Sequence, residues 1–381
     1  MRRLFVHGRL TDRGGADRWL WGVLRRLEGP RRLLVGSIDR EAPAEVRAAA
    51  GQVVRVKELD RSGLSGPPGP GLRAALTAAI EAFSPDVIIS NDLVDPTVMG
   101  LLAEAAPWWA MVQDHRAFCP GMGKWHAEQR VCAETMGAAC AACLPDPDYG
   151  PRMRALTEAR RDALRRATGV TVLSQAMRQE LLAVGLEPAR VVVVPPFVDG
   201  LPALSPGPLT HHLFAGRLTA HKGVRQALAA AAQTRLPLRV VGAGPLADEV
   251  RAAGIAVEWV DRAGLAQALS GAASLWLPSL WAEPFGIIGL EALSAGVPVI
   301  GSAVGGVGDW LDDRVGCLVP PGDVGALVAA ARRLEDDPSL CRRLGAAGAA
   351  RVAEGFEPAR IVTVLQSCWR VNATSSTAPT G

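Results

Sequence analysis

Two cationic side chains lie five residues apart in the segment 216–223, which has the pattern G-R-x(4)-K-G. An apolar run that predicts a strand precedes the segment and a helical pattern follows it, so we expect a strand-to-helix turn. Arg217 can bind oxygen atoms through its planar guanidinium, and Lys222 supplies a compact point charge. Gly223 would let the helix begin close to a ligand, with free backbone N–H groups aimed at negative charge. The pattern indicates a site for two phosphates, and a solvated charged turn is the alternative.

Two carboxylates follow further along the chain, in the pattern E-P-F-G-x(4)-E-A that begins at Glu283. Gly286 permits a tight turn, after which the first N–H groups of a helix face outward. Glu291 lies inside an otherwise apolar helical pattern, where an unpaired buried carboxylate would cost several kcal/mol. Vicinal hydroxyl groups of a ligand would satisfy it, and so would an arginine of the protein.

These two motifs together resemble those of the family 4 glycosyltransferases, which use nucleotide-sugar donors and have the GT-B fold. Both motifs are intact and in the family's order. The resemblance covers nearly all of residues 171–360 and is weaker over 1–170. It implies an α/β protein with two Rossmann-like parallel-sheet domains that face each other across a cleft, with the active site in that cleft.

The resemblance also implies roles for individual residues. Arg217 and Lys222 would bind the donor diphosphate, Glu283 would contact the transferred sugar, and Glu291 would hold the ribose hydroxyls. Arg217, Lys222 and Glu283 would be the catalytic residues. The full donor-binding set implied in this way is Gly15, Gly216, Arg217, Lys222, Glu283, Phe285, Gly286, Ile287 and Glu291.

The first half of the chain carries weaker signals of the same family. Gly14 and Gly15 resemble its N-terminal Gly-Gly loop, whose backbone approaches the donor phosphate. Aligning Asp114 with a family aspartate places Gln113 where relatives usually have histidine, so either Gln113 or the neighbouring His115 would bond the sugar. The residues implied on the sugar and acceptor side are Asn91, Gln113, Asp114 and His115.

Four of the seven cysteines are clustered in the form C-x(12)-C-x(7)-C-x(2)-C, at Cys119, Cys132, Cys140 and Cys143. Four thiolates can close a tetrahedral zinc site, although only the last pair has zinc-finger spacing. A structural zinc, an iron–sulfur cluster, disulfides and free thiols are all open at this point, and His126 is a possible replacement ligand. No cofactor is expected for catalysis.

Short apolar runs that alternate with helical Ala-, Leu- and Arg-rich segments must position these residues. The alternation predicts parallel sheets with helices on both faces. After a buried first strand, strands are predicted at 33–38, 86–90, 110–113, 170–173, 191–194, 212–215, 238–241, 256–260, 273–277, 297–301 and 316–319. A Pro-rich linker near 195–209 predicts an N-terminal domain of residues 1–198 plus a C-terminal helix at about 361–371, a second domain of 199–360, and a disordered tail at 372–381.

Composition excludes several classes of protein. With 381 residues, 49% hydrophobic and 21% charged, the chain can bury the cores of two domains. Its net charge of +3 is spread without a polybasic block, which argues against nucleic-acid binding. The sequence shows no signal peptide and no long apolar span, so we expect a cytoplasmic protein. Docking on the cytoplasmic face of a membrane through the basic segment 152–167 is an alternative.

The predicted function is that of a retaining glycosyltransferase of the hexosyltransferase type. It would move a sugar from a UDP- or GDP-sugar to a hydroxyl of a polysaccharide, a lipid carrier or a small metabolite. The alternatives are a catalytically inactive nucleotide-sugar-binding protein and a GT-B nucleotide-sugar epimerase. Residues 242–247 also fit the dinucleotide fingerprint of oxidoreductases, but Pro245 removes an N–H donor from that loop.

Overall fold

The computed structural model describes residues 1–11, 15–38, 48–49, 51–61, 66, 68–126, 131–199, 201 and 208–370. The chain forms two compact units. The first contains Met1–Gly123, Glu134–Phe197 and the chain from Pro358 onward, and the second contains Lys124–Ala133 and Val198–Glu357. The segment Lys124–Ala133 therefore belongs to the second unit, whereas the predicted boundaries assign it to the first. The predicted disordered tail at 372–381 lies outside the described residues.

The first unit is built on a seven-stranded parallel sheet with strand order β3-β2-β1-β4-β5-β6-β7. Its strands are β1 (Arg3–Leu10), β2 (Arg31–Ile38), β3 (Gln52–Arg55), β4 (Val87–Asn91), β5 (Trp108–Val112), β6 (Gly169–Val172) and β7 (Val191–Val193). Its first helices are α1 (Gly15–Arg26), α2 (Pro70–Glu81), α3 (Pro96–Ala105), α4 (Tyr149–Leu164) and α5 (Gln175–Ala183). The sequence analysis missed β3 because this short edge strand is half exposed and lacks a clear apolar run.

The second unit has a six-stranded parallel sheet with order β10-β9-β8-β11-β12-β13. Its strands are β8 (His211–Ala215), β9 (Leu238–Val241), β10 (Val257–Glu258), β11 (Ala272–Leu277), β12 (Val299–Ser302) and β13 (Gly316–Val319). Its helices are α6 (Val224–Ala231), α7 (Ala247–Ala252), α8 (Arg262–Leu269), α9 (Ile287–Ser294), α10 (Val324–Asp336) and α11 (Pro338–Gly355). Both strands at the centre of this sheet are buried along their whole length, as expected for a parallel sheet covered on both faces.

Side-chain caps fix where several helices begin. The carboxylate of Asp95 accepts hydrogen bonds from the backbone N–H groups at the start of α3, and Asp323 does the same for α10. Asp337 caps α11, whose first residue is Pro338. Each cap satisfies N–H groups that lack a partner within the helix. Proline at the first helical position loses nothing, because its missing N–H would have had no helical partner.

The last helix, α12 (Pro358–Arg370), follows the second unit in sequence but packs in the core of the first. Its buried face carries Ile361, Leu365 and Trp369. The ring of Trp369 meets that of Phe5 on β1 edge to face, with 5.8 Å between the centroids. Within the described residues, no helix is both long and apolar enough to cross a bilayer.

The strand order reverses once in each sheet, between β1 and β4 in the first and between β8 and β11 in the second. Successive crossovers run in opposite directions from such a point, which leaves a crevice at the carboxyl ends of the two strands. In the second unit the loop after β8 carries the G-R-x(4)-K-G motif, and the loop after β11 carries the E-P-F-G motif. The two motifs therefore share one edge of the sheet.

Candidate active site

The loops after β8 and β11 bring a lysine and a glutamate into direct contact. The Nζ of Lys222 donates to Oε1 of Glu283 at 2.6 Å, and the hydroxyl of Ser279 donates to the same oxygen at 2.6 Å. The backbone N–H of Leu280 donates to the carbonyl of His221 at 2.8 Å, which joins the two loops. The side chain of Glu283 is 3% exposed and that of Lys222 is 18% exposed. The structure thus brings together two of the three predicted catalytic side chains.

Glu283 is held in its charged form. Burial alone would raise the pKa of its carboxyl, but the charge and hydrogen bond of Lys222 and the hydrogen bond of Ser279 outweigh burial and lower it. On its other side, the Lys222 ammonium lies 4.8 Å from the centre of the Trp281 ring, within cation–π range. The cation is therefore fixed between a carboxylate and an aromatic face.

Gly223 and Gly305 allow the loops around this ion pair to approach each other. Gly223 has φ +74°, and a Cβ there would lie 1.8 Å from the carbonyl oxygen of Pro278. Gly305 has φ +52°, and a Cβ there would lie 2.1 Å from the carbonyl oxygen of Glu283. Only glycine combines this backbone conformation with such close contact. The conformation of the loops consequently depends on both residues.

The E-P-F-G turn is anchored by a residue that the sequence analysis did not single out. The indole N–H of the buried Trp310 donates to the carbonyl of Phe285 at 2.7 Å. Gly286 follows with φ +84°, and α9 begins at Ile287. The backbone N–H groups predicted to face the donor are therefore held at the start of α9. A tryptophan shortly after the Gly305-Gly306 pair is the only signal that the sequence offered.

Glu291 has a protein partner. Nη1 of Arg262, which is at the start of α8, lies 3.4 Å from its Oε1. The glutamate is buried, while the arginine side chain is 45% exposed. An arginine of the protein was one of the two partners left open for this carboxylate. Arg217 is exposed in the loop after β8, and Gly15 lies in the first unit, where α1 begins.

The glycines at 242–244 have a structural explanation. A Cβ on Gly242 would lie 1.8 Å from the carbonyl oxygen of Gly216, and one on Gly244 would lie 2.5 Å from that of Leu218. The carbonyl of Ala243 accepts a hydrogen bond from the N–H of Leu218 at 2.8 Å. The glycines permit packing of one loop on the other, so their spacing does not require a dinucleotide.

In the first unit, Asn91 and Gln113 are bonded to each other. Both are buried, at and just beyond the ends of β4 and β5, and the Gln113 amide donates to Oδ1 of Asn91. His115 is also largely enclosed, with its Nε2 3.0 Å from the carbonyl oxygen of Gly121, and burial lowers its pKa. Asp114 accepts a hydrogen bond from Nε of Arg116. The four residues predicted on the acceptor side therefore lie in one unit, each with a protein partner.

A buried histidine–aspartate pair adjoins these residues and was missed by the sequence analysis. Nε2 of His7 lies 2.7 Å from Oδ1 of Asp17, and its Nδ1 lies 2.8 Å from the carbonyl oxygen of Asn91. Burial lowers the pKa of His7, but the bonds to Asp17 and to Asn91 outweigh burial and raise it. The sequence signal available for this pair was a polar residue, His7, within an apolar strand, followed by an aspartate, Asp17, at the start of a helix.

Two sequence models of known families match the chain. The one described as "Glycosyl transferase 4-like domain" matches residues 18–196, and the one described as "Glycosyl transferases group 1" matches residues 206–351. The chain belongs to the family 4 glycosyltransferases. Its two Rossmann-like parallel-sheet domains are those of the GT-B fold.

Three known proteins illustrate the similarity of this family 4 glycosyltransferase to its relatives. Glycogen synthase of Mycobacterium tuberculosis is 33% identical over 44% of the chain, and the match spans 43% of that relative, less than half its length. Alpha-maltose-1-phosphate synthase of the same species is 27% identical over 88% of this chain and 98% of its own. The structure of HepE from Anabaena in complex with UDP and glucose superposes with a TM-score of 0.71 at 19% identity, covering 96% of this chain and 98% of that one.

The cysteines of this glycosyltransferase are divided between the two units. Cys132 lies in the second unit, and Cys119, Cys140 and Cys143 lie in the first. Within the described residues, Cys140 and Cys143 form no disulfide bond. Across the described ranges up to residue 370, no three His, Cys, Asp or Glu side chains are grouped as metal ligands. The zinc site stays a prediction from the spacing.

A second cluster of charges follows β4 and β5 in the first unit. Nη2 of Arg116 donates to Oδ2 of Asp92 at 2.6 Å, and the same guanidinium contacts Asp114. Burial and the nearby Asp114 carboxylate raise the pKa of Asp92 to about 6, against the opposing effect of Arg116. Burial also lowers the pKa of the neighbouring Arg160, to about 10. The cluster makes stability depend on pH.

We expect Asp92→Asn to change how stability varies with pH. The folded protein binds the Asp92 proton more tightly than the unfolded chain does, so this group favours folding at low pH. Its contribution is lost as the pH rises from about 4 to about 6. The variant should therefore gain stability relative to the wild type over that interval, as measured by thermal denaturation at each pH. Asp313→Asn, at an exposed position, is the control and should follow the wild type. A constant difference between Asp92→Asn and the wild type would contradict the assignment.

Proposed function

We propose that this enzyme is a retaining glycosyltransferase that moves a sugar from a nucleoside-diphosphate donor, a UDP- or GDP-sugar, to an acceptor hydroxyl. The observation that carries the proposal is the contact between Lys222 and Glu283 at the switch point of the second sheet. A fixed cation and a buried carboxylate at the carboxyl ends of β8 and β11 suit a donor that combines a diphosphate with a hydroxylated sugar.

Arg217 and Lys222 bind the diphosphate in this proposal. Lys222 has little freedom to move, because Glu283 and the Trp281 ring hold its ammonium. A charge that is already in place stabilises a leaving diphosphate without reorganisation during the reaction. The N–H groups at the start of α9, just beyond Gly286, face the sugar and the distal phosphate.

Glu283 binds hydroxyl groups of the transferred sugar. Its Oε1 accepts hydrogen bonds from Lys222 and Ser279, which hold the carboxylate in place. The bond from the anomeric carbon to the diphosphate breaks, and the acceptor oxygen attacks from the same face. The acceptor proton passes to the departing phosphate oxygen, so charges balance with no metal ion. Glu291, with Arg262 beside it, binds the ribose hydroxyls.

The relatives support this choice of donor and acceptor classes. HepE was crystallised with UDP and glucose, so UDP-glucose is the first donor to test. The names of the two mycobacterial relatives indicate products that contain glucosyl units, which makes glucans and small phosphorylated sugars the first acceptors to test. Lipid carriers follow, because a phosphatidyl-myo-inositol mannosyltransferase of Mycobacterium leprae is 40% identical over 29% of the chain.

Nucleotide binding is the direct test. A nucleotide at 100 times its dissociation constant should stabilise the protein by about 2.7 kcal/mol. We expect UDP or GDP, and the corresponding nucleotide sugars, to raise the melting temperature in a thermal-shift screen, and the matching nucleosides to have much less effect. The anomeric configuration of the product, read by NMR, tests retention. Binding without transfer or hydrolysis of the donor would identify an inactive binding protein. No shift with any of these nucleotides would contradict the proposed donor site.

A further inference from the structure

The segment Lys124–Ala133 comes from the first half of the chain but is part of the donor-binding unit. Trp125 and Val131 form an antiparallel bridge, and the N–H of Cys132 donates to the carbonyl of Lys124 at 2.6 Å. These contacts join residues 124–125 to residues 131–132. Lys124, at the start of the segment, is 5% exposed and has a left-handed backbone, φ +60°. The backbone on either side of Trp125 is therefore held in place.

Trp125 contacts the G-R-x(4)-K-G motif through His221. Its ring centroid lies 5.9 Å from that of His221, which lies 5.1 Å from that of Trp281. Beyond Trp281 comes the Lys222 ammonium, whose nitrogen lies 4.8 Å from the centre of the Trp281 ring. A continuous set of contacts thus runs from Trp125 to the proposed diphosphate cation.

His221 links this row of rings to the backbone of both motifs. It precedes Lys222 in the 3₁₀ turn Ala220–Lys222, so a rotation of that turn would move both side chains together. Its carbonyl accepts the hydrogen bond from Leu280 that joins the two loops. His221 is itself buried, whereas Trp125 is only half buried. Trp125 therefore covers one side of the turn while its own ring stays partly exposed.

We propose that Trp125 is a positioning residue for the donor diphosphate, acting through His221 and Trp281 on Lys222. Loss of its ring would leave one side of His221 uncovered and allow the turn to adopt other positions. Lys222 would then spend less time at its place between Glu283 and Trp281. The inference rests on the proposed function, because it assumes that Lys222 binds a phosphate.

The test compares nucleotides that differ by one phosphate. We expect Trp125→Ala to weaken binding of UDP, or of GDP if that is the nucleotide bound, by about tenfold in calorimetry, the scale of one cation–π interaction. Binding of UMP or GMP should change less than about twofold, because a monophosphate depends less on the displaced cation. Trp125→Phe keeps an aromatic ring and should restore diphosphate binding to within about threefold of the wild type. Met122→Ala changes an exposed apolar residue three positions earlier and should have no effect.

The outcomes separate this inference from the function on which it rests. If Trp125→Ala binds the diphosphate as the wild type does, or weakens mono- and diphosphates equally, Trp125 does not position the cation. If Trp125→Ala fails to fold, the Phe variant decides: unchanged diphosphate binding supports the role of the aromatic ring, and a loss shared equally by mono- and diphosphates refutes it. If the wild type binds neither UDP nor GDP, the proposed function fails and the inference fails with it.

Discussion

Lys222→Met should lower sugar transfer by about 10²–10³-fold and destabilise the second unit. Removing the ammonium leaves the Glu283 carboxylate, 3% exposed, without its cation. Breaking a buried ion pair from one side costs about 3–5 kcal/mol, and we expect the lower end because Lys222 is 18% exposed. Loss of one group that stabilises the leaving charge lowers kcat by about 10²–10³. Urea denaturation and a transfer assay measure the two effects.

The partner variants separate the two effects of this substitution. Glu283→Gln removes the buried charge and should cost less stability than Lys222→Met, although transfer should fall as well. The double variant should be more stable than the sum of the single changes predicts, because neither charge is then left alone. Lys57→Met, at an exposed lysine of the first unit, should match the wild type in both assays.

The pH of these assays follows from the direction of the Glu283 shift. Its pKa is lowered in the folded protein, so the contribution of the ion pair to stability is fully present above the ordinary glutamate value of 4.5. It is lost as the pH falls through the folded value. Measurements at neutral pH therefore report the whole effect. Wild-type stability and turnover in Lys222→Met at that pH would refute both the ion pair and its role.

Gly223→Ala should be strongly destabilising although it adds only a single carbon atom. The residue has φ +74°, and the new Cβ would lie 1.8 Å from the carbonyl oxygen of Pro278. The left-handed conformation alone costs an alanine about 1–2 kcal/mol. The clash comes in addition, and it is with backbone at the end of β11, which cannot rotate away as a side chain would. We expect a total loss above about 3 kcal/mol in the free energy of unfolding, together with loss of nucleotide binding.

Gly254→Ala is the matched control for this substitution. Gly254 lies in the same unit with φ +78°, but no atom lies within 4 Å of the position of its Cβ. This variant should lose only the conformational term of about 1–2 kcal/mol and should keep its affinity for nucleotides. Urea denaturation and calorimetry on both variants give the comparison. Equal losses in the two would mean that the contact with Pro278 has no part in the effect.

Much of the candidate site's local structure could be predicted from the sequence because it is coded by neighbouring residues. The spacing of Arg217 and Lys222 indicated a phosphate site, and Gly223 and Gly286 marked turns that the structure places at left-handed φ. The apolar runs predicted most strands of both sheets. Hydrophobic periodicity and glycine conformation are properties of a few neighbouring residues, so they can be read without knowing the fold.

Pairing between distant residues could not be predicted in the same way. Gln113 was expected to meet a sugar, and the structure bonds its amide to Asn91. Glu291 had two possible partners, and only the tertiary structure brings Arg262, at the start of α8, within 3.4 Å of it. His7 was not singled out at all, because its neighbours in sequence do not reveal Asp17 and Asn91 as its partners.

The sequence by itself determined the two-part α/β architecture, the motif residues of the proposed donor site and the family to which they point. Tertiary structure alone decided which side chains meet. Lys222 contacts Glu283, 61 positions away in the sequence. Trp125 contacts His221 in the second unit, although the predicted boundaries assigned Trp125 to the first. The physical reason is the range of the forces involved. Backbone conformation and apolar periodicity act within a turn or a strand. A charged or aromatic side chain contacts a partner far away in the sequence only when the order of the strands places the two loops at the same edge of a sheet.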